Sequence, residues 1–283
     1  MDKVDNLYSI GQAARKAKIS TRTLRHYESI ELIKPDYVKE NGYRYYSSDT
    51  IMMVSIIKYL QFMEFSLEEI KEFIYNANYQ EISESFTTLT QKTEEEISHL
   101  NDRLMIVKDW HNLIMEGSSA LLIENNKPSI KYISEKELIK YEMTFTYNYE
   151  EAILDLDFSN FVKDQNNKIT GPVMFYFDSY KQRIKQEKQN KPMDFLYIQS
   201  AVDPIMDKST CFYLPQGFYV SLYHLGDYKG LIKSYEKLID WANSNKFVLG
   251  NSVIERFVID TWTFRNKNQY VTEILIPIDN KLK

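Results

Sequence analysis

Two glutamates stand among apolar residues near the C-terminal end of the chain. In Val253-Ile254-Glu255-Arg256-Phe257-Val258-Ile259, strand alternation puts Glu255 on one face with Val253, Phe257 and Ile259. In Val271-Thr272-Glu273-Ile274-Leu275, Glu273 shares a face with Val271 and Leu275. A carboxylate set among apolar side chains is costly unless something compensates it. Aromatic residues crowd the neighbouring sequence: Tyr213, Phe218, Tyr219, Tyr223, Trp262, Phe264 and Tyr270. An acid at the floor of an aromatic pocket suits a lipophilic cation, because each ring face adds about 0.5–2 kcal/mol of cation–π attraction. The alternative is that both acids pair with Arg256, Arg265 or a lysine and hold the sheet together.

A second constellation lies at the other end. Ser20 opens a short helix that exposes Arg22 and Arg25 with Thr23, His26 and Tyr27, and Gly42-Tyr43-Arg44-Tyr45-Tyr46 has the composition of an extended, phosphate-gripping hairpin. Guanidinium groups near a capped helix start can reach guanine acceptors and phosphates in the major groove. The chain carries a net charge of -5 over 283 residues. Ser9 to Tyr46, however, holds eight Lys/Arg against four acids, and a local basic face is what meets phosphate.

The elements that must position these residues follow from periodicity. A short helix from Ile10 to Lys16, a turn from Ala17 to Ile19 and the Ser20 helix form a helix-turn-helix. Two more short helices occupy Ser48 to Ala77, the second opened by a capping box, Ser66 to Glu69. Phe86, Thr90, Thr93, Ile97, Leu100, Leu104, Val107, His111 and Ile114 alternate steps of four and three. That is a heptad seam on a helix of about 35 residues, which needs a partner helix to bury it. Gly117-Ser118-Ser119 is expected to end it. Strands are expected at Ser129 to Ile133, Glu142 to Tyr147, Val173 to Phe177, Asp194 to Ala201, Phe218 to Tyr223, Val253 to Thr263 and Gln269 to Pro277. Helices at Glu150 to Phe161 and Tyr228 to Ser244 interrupt them. The expected architecture is an all-α winged helix-turn-helix head (1–77), a coiled-coil dimerisation helix (78–117) and a linker (118–127). An α+β domain (128–283) follows, its antiparallel sheet built from a pseudo-repeated strand-helix-strand-strand unit.

The N-terminal stretch resembles the DNA-binding head of the MerR family of transcription regulators. Ile10, Gly11, Ala14, Ser20, Thr23, Leu24, Arg25, Tyr27, Glu28, Leu32, Pro35, Tyr43, Arg44 and Tyr45 match that family's pattern in order and spacing. His26 stands where the family more often has a second Tyr, and Gln61 where some members place a Lys near the DNA backbone. The C-terminal half resembles, more loosely, the gyrase-inhibitor-like effector domain of the multidrug-sensing (BmrR-type) branch. That likeness rests on Leu214-Pro215-Gln216-Gly217-Phe218-Tyr219, the following helix and the acidic strands. The resemblance implies a homodimer, paired through antiparallel long helices, on a palindromic promoter operator with RNA polymerase. A hydrophobic, cationic effector would drive it to distort the DNA. DNA contacts would come from Ser20, Arg22, Thr23, Arg25, His26, Tyr27, Tyr43, Arg44 and Tyr45. The resemblance makes Glu255 the central cation-binding acid and Glu273 a second, with Tyr147 and Tyr223 as walls; Tyr270 joins this ligand set.

A single cysteine, Cys211, excludes an intrachain disulfide and fits a reducing cytoplasm, and no run approaches membrane-spanning length. Neither CxxC nor HExxH occurs, which counts against a metal site; the main reading also expects no cofactor and no catalytic residue. Lys181 to Lys191, with five basic residues and one acid, reads as a solvated segment. Two other readings stay open: a hydrolytic effector domain with Glu255 or Glu273 as general base beside Tyr223, and a regulator that answers a protein partner.

Overall fold

The computed structural model describes residues 6–122 and 126–279. The chain divides into two units, 1–95 and 96–283, and each is built around its own core. In the first, β1 (Tyr8–Ser9) leads into α1 (Ile10–Ala17), started by a Ser9–Gln12 capping box and ended by left-handed Lys18, with φ of 52°. Ser20 then caps α2 (Thr21–Ser29) by accepting the Thr23 N–H. β2 (Tyr37–Val38) and β3 (Arg44–Tyr46) form the expected hairpin, turning at Gly42, whose φ of +81° favours glycine. β1 pairs on the other edge of β3. Ser47 and Ser66 cap α3 (Ser48–Phe62) and α4 (Leu67–Tyr75), the latter with the Ser66–Glu69 capping box legible in the sequence.

α5 (Tyr79–Leu122) is one helix of 44 residues. It starts seven residues before Phe86, and Phe86 belongs to the first unit's core, edge-on to Phe65 and Phe73 at 5.4 and 5.8 Å, rather than to a seam. The expected stop at Gly117 does not occur. Gly117 is buried within the helix, where a Cβ would lie 2.2 Å from Cγ1 of Ile259. The glycine is there for close approach, and the helix continues five residues into the expected linker, of which 123–125 lie outside the described residues.

The second unit holds an eight-stranded antiparallel sheet made of β4 (Ser129–Ile133), β5 (Lys136–Phe145), β6 (Ile169–Phe177), β7 (Met193–Ala201), β8 (Cys211–Leu214), β9 (Gly217–Leu225), β10 (Val253–Ile259) and β11 (Val271–Pro277). Their order is β4-β9-β11-β10-β6-β7-β5-β8. The order is symmetric about the β10–β6 pair, so the pseudo-repeat read from the sequence becomes a pseudo-twofold with Glu255, opposite Phe175, at its centre. The helix expected at Glu150 to Phe161 is two, α6 (Tyr149–Ile153) and α7 (Leu156–Asp164), because Asp155 caps a new start. With α8 (Tyr180–Lys188) and α9 (Leu231–Ser244) they cover one face, over Phe145, Phe175, Phe177, Phe195, Phe257 and Ile274. The C-terminal part of α5 lies on the other face: Ala120 and Leu113 pack with Val258, Ile259 and Val271. Among the described residues no helix is long and apolar enough to cross a membrane.

Candidate functional sites

The register of β10 on β11 separates the two glutamates. Arg256 lies directly opposite Glu273, and Glu255 opposite Ile274. Side chains alternate, so Glu255 points to the helix-covered face and Glu273 to the α5 face. Both acids are fully buried, and each has a cationic partner within the chain.

The partner of Glu255 is Arg183, from the segment expected to be solvated. Ser179 caps α8 and turns Tyr180 and Arg183 inward, while Lys181, Lys185 and Lys188 stay exposed. Arg183 is fully buried, its Nε 3.0 Å from Glu255 Oε1, with further hydrogen bonds to Glu187 and the Tyr149 hydroxyl. Its guanidinium lies 5.0–5.5 Å from the ring centroids of Phe145, Tyr147 and Phe177. The Tyr235 hydroxyl donates to Glu255 Oε1 at 2.7 Å, leaving Oε2 buried with no hydrogen-bond partner among the described residues. Burial pushes the Glu255 carboxyl up, opposed by the Arg183 charge and the Tyr235 hydroxyl. A cleft of about 430 Å³ adjoins the cage, lined by Tyr147, Tyr149, Glu187 and Tyr228 together with the acids Glu150 and Asp227 and the lysines Lys229 and Lys267.

Of the expected ligand residues, Tyr147 thus joins Glu255, its ring against the same guanidinium. Tyr270 stands two rings away, 5.2 Å from Tyr228, which stacks on Tyr149 at 4.5 Å. Tyr223 does not join them. It lies across from Glu273 on the α5 face and donates to Glu116 of α5 at 2.6 Å. There Arg256 bridges Glu116 (2.6 Å) and Glu273 (2.8 Å), while Lys131 and Ser221 also reach Glu273. Burial would raise the Glu116 carboxyl, but Arg256, Tyr223 and Lys131 hold it down to about 2. Glu273 therefore follows the pairing alternative, with Arg256 as its partner. Sequence reasoning missed Arg183 and Glu116. The available signal for Arg183 was an arginine alone in a lysine run, followed by Glu187 one helical turn later.

In the head, Arg22, Arg25 and His26 are exposed on α2, and neither arginine has a salt bridge among the described residues. Ser20 and Thr23 bond each other at 2.8 Å while capping the helix. Tyr43 is exposed at the hairpin, and Tyr45 is half-buried beneath Lys39, whose Nζ lies 5.2 Å from its ring. Arg44 is oriented by Glu28, Nε to Oε2 at 2.6 Å. Tyr27 departs from the expectation. It is buried, donating to Gln61 at 3.0 Å, because its α2 position lies with Leu24 on the core face. Exposed guanidinium groups on a capped helix, beside an aromatic-basic hairpin, form a surface able to track a phosphate backbone.

Residues 8–77 match the MerR HTH family regulatory protein profile, and residues 126–279 match the GyrI-like small molecule binding domain profile. The chain is similar along its whole length to two Bacillus subtilis proteins. It is 21% identical to the multidrug-efflux transporter 2 regulator, covering 98% of both chains. It is 22% identical to the multidrug-efflux transporter 1 regulator, covering 97% of this chain and 99% of the other. A solved EcmrR–DNA complex is 21% identical over 96% of this chain and 99% of its own, with a TM-score of 0.47.

Proposed function

Because the chain belongs to the GyrI-like small-molecule-binding family and carries a MerR-type head, it is a DNA-binding transcription regulator, and we propose that its effector is a lipophilic cation received at Glu255. One observation carries this reading: the pocket already holds a cation. A guanidinium sits among three ring faces with a buried carboxylate behind it, which is the chemistry a lipophilic cation needs. Arg183 is a tethered stand-in, and an effector entering from the adjoining cleft displaces it, taking up the Glu255 charge and the ring faces. Displacement moves α8, so the ligand binds a different conformation more tightly than the resting one, as any ligand-driven switch requires.

The chain acts as a homodimer on a palindromic promoter operator with RNA polymerase, the two copies paired through α5. Ile97, Leu100, Leu104, Val107 and Ile114 support this pairing, an exposed apolar stripe at heptad spacing. Arg22, Arg25, Tyr43 and Arg44 contact the DNA, and effector binding activates transcription by distorting the promoter. Titrating the full chain with tetraphenylphosphonium, beside Glu255→Gln, tests the effector reading. Saturable binding that the substitution abolishes supports it. Absence of binding by the folded chain, or equal binding by the variant, refutes it.

A further inference from the structure

The second unit contains another cavity that the cation reading does not use. It has a volume of about 200 Å³ and lies where α5, the bulged start of β6 and the 260–263 turn meet. Trp110, Tyr197, Phe257 and Trp262 supply its aromatic walls, and Asp260 and Gln199 are its chief polar groups. An engineered cavity of about 150 Å³ takes benzene, so this one has room for a single ring with a short chain.

Its polar groups share one property. Asp260 is only 5% exposed and has no salt bridge among the described residues. Its Oδ1 accepts the Trp262 N–H, and burial raises the carboxyl to about 6, against the pull of the Trp262 and Thr263 backbone. Gln199, also 5% exposed, donates its amide N–H to the Gly171 carbonyl at 2.9 Å, which leaves its Oε1 buried with no partner among the described residues. Thr170 donates its hydroxyl proton to Asp109, and Ser159 donates to the Asp155 carbonyl. Asp260, Thr170 and Ser159 therefore offer acceptors, and Gln199 adds a solvent-inaccessible oxygen beside one remaining amide N–H. A buried acceptor left unpaired is costly, and a buried carboxylate without a counter-cation more so.

We propose that this cavity is a second ligand site, which takes a protonated primary amine on a one-ring apolar body. The ammonium N–H groups satisfy Asp260 and Gln199, and the ring lies among the tryptophans. A quaternary ammonium or phosphonium ion has no N–H and leaves the Gln199 oxygen unpaired, so this site disfavours it. Trp110 belongs to α5, so a bound amine touches the same helix that Glu116 ties to the sheet.

Calorimetric titration of the full chain with 2-phenylethylamine tests the proposal, with 2-phenylethanol as the neutral isostere and Asp260→Asn, Trp262→Ala and Glu255→Gln as variants. Wild type and Glu255→Gln are expected to bind the amine saturably. The alcohol and Asp260→Asn should each lose about tenfold or more in affinity, the loss expected from removing a charge-assisted hydrogen bond. Asn keeps an oxygen for the Trp262 N–H, and circular dichroism checks that the variant folds. Trp262 is 52% exposed, so Trp262→Ala is expected to fold, checked by circular dichroism, and to weaken binding through the lost wall. Amine binding that survives both Asp260→Asn and Trp262→Ala overturns the proposal. So does loss of amine binding in Glu255→Gln, which would place the amine in the Glu255 cage, or absence of binding by the folded chain. Tetraphenylphosphonium binding reports on the Glu255 reading separately.

Discussion

Glu255 and Arg256 are consecutive in β10 and serve opposite faces of one sheet. Glu255 holds Arg183 of α8 at 3.0 Å, and Arg256 holds Glu116 of α5 at 2.6 Å. A shift of β10 by even a fraction of a residue spacing disturbs both pairs. The pocket and the long helix are thereby connected through a single peptide unit, and this supplies a contiguous physical route for coupling.

Removing Arg183 leaves the Glu255 carboxylate buried without its cation. Arg183→Ala is expected to destabilise the chain by about 3–5 kcal/mol, seen as a lower Tm. Tetraphenylphosphonium should raise the variant's Tm more than the wild type's, because the competing guanidinium is gone. An equal ligand-induced rise in both would count against Arg183 as a competitor.

The Glu116 pair should be visible as acid sensitivity. Its folded-state pKa, about 2, lies below the ordinary value of 4.5, so its contribution is fully present above pH 4.5 and lost as pH falls through 2. The contribution is on the order of 3 kcal/mol at neutral pH. Urea unfolding of wild type and Glu116→Gln at pH 7, 4.5, 3 and 2 should show the stability gap closing over the lowest three values.

Gly117→Ala pits helix propensity against packing. Alanine favours a helix interior by about 1 kcal/mol, but here its Cβ collides with Ile259 at 2.2 Å. Net destabilisation of about 1–3 kcal/mol is expected, as for overpacked cores, and Ile259→Ala in the same chain should relieve it. A stabilised single variant would mean that the helix does not press on β10.

Leu100 and Leu104 are 52% and 50% exposed at successive seam positions. Leu100→Glu with Leu104→Glu should leave each chain folded and convert a dimer to monomer in sedimentation velocity. A monomeric wild type, or an unchanged dimer, would remove α5 as the pairing element.

On operator DNA, Arg22→Ala and Arg25→Ala should weaken binding. Arg44→Ala should weaken it on every sequence tested and lower the slope of log K against log salt by about 1 for the lost phosphate contact. Tyr27→Phe, by contrast, removes only the hydrogen bond to Gln61 and should act on stability rather than on the salt slope.

The head was legible because its determinants are local. Ser20, Ser47 and Ser66 cap helices within three residues of themselves, Gly42 sets a turn, and apolar spacing marks the faces. Even there, whether Tyr27 faces outward was a packing decision. The strands carrying the two glutamates were also legible, since alternation is a property of the segment alone. What each glutamate faces was not. Glu255 meets a cation 72 residues away, and Arg256 an acid 140 residues away, through strand register and helix placement that no local pattern encodes. Most of the elements and the apolar setting of both acids follow from periodicity and capping, which act over a few residues. That those acids lie on opposite faces, that Arg183 fills the cation cage and that Gly117 is a contact rather than a stop follow from how the segments pack together. Those outcomes depend on which surfaces close over one another.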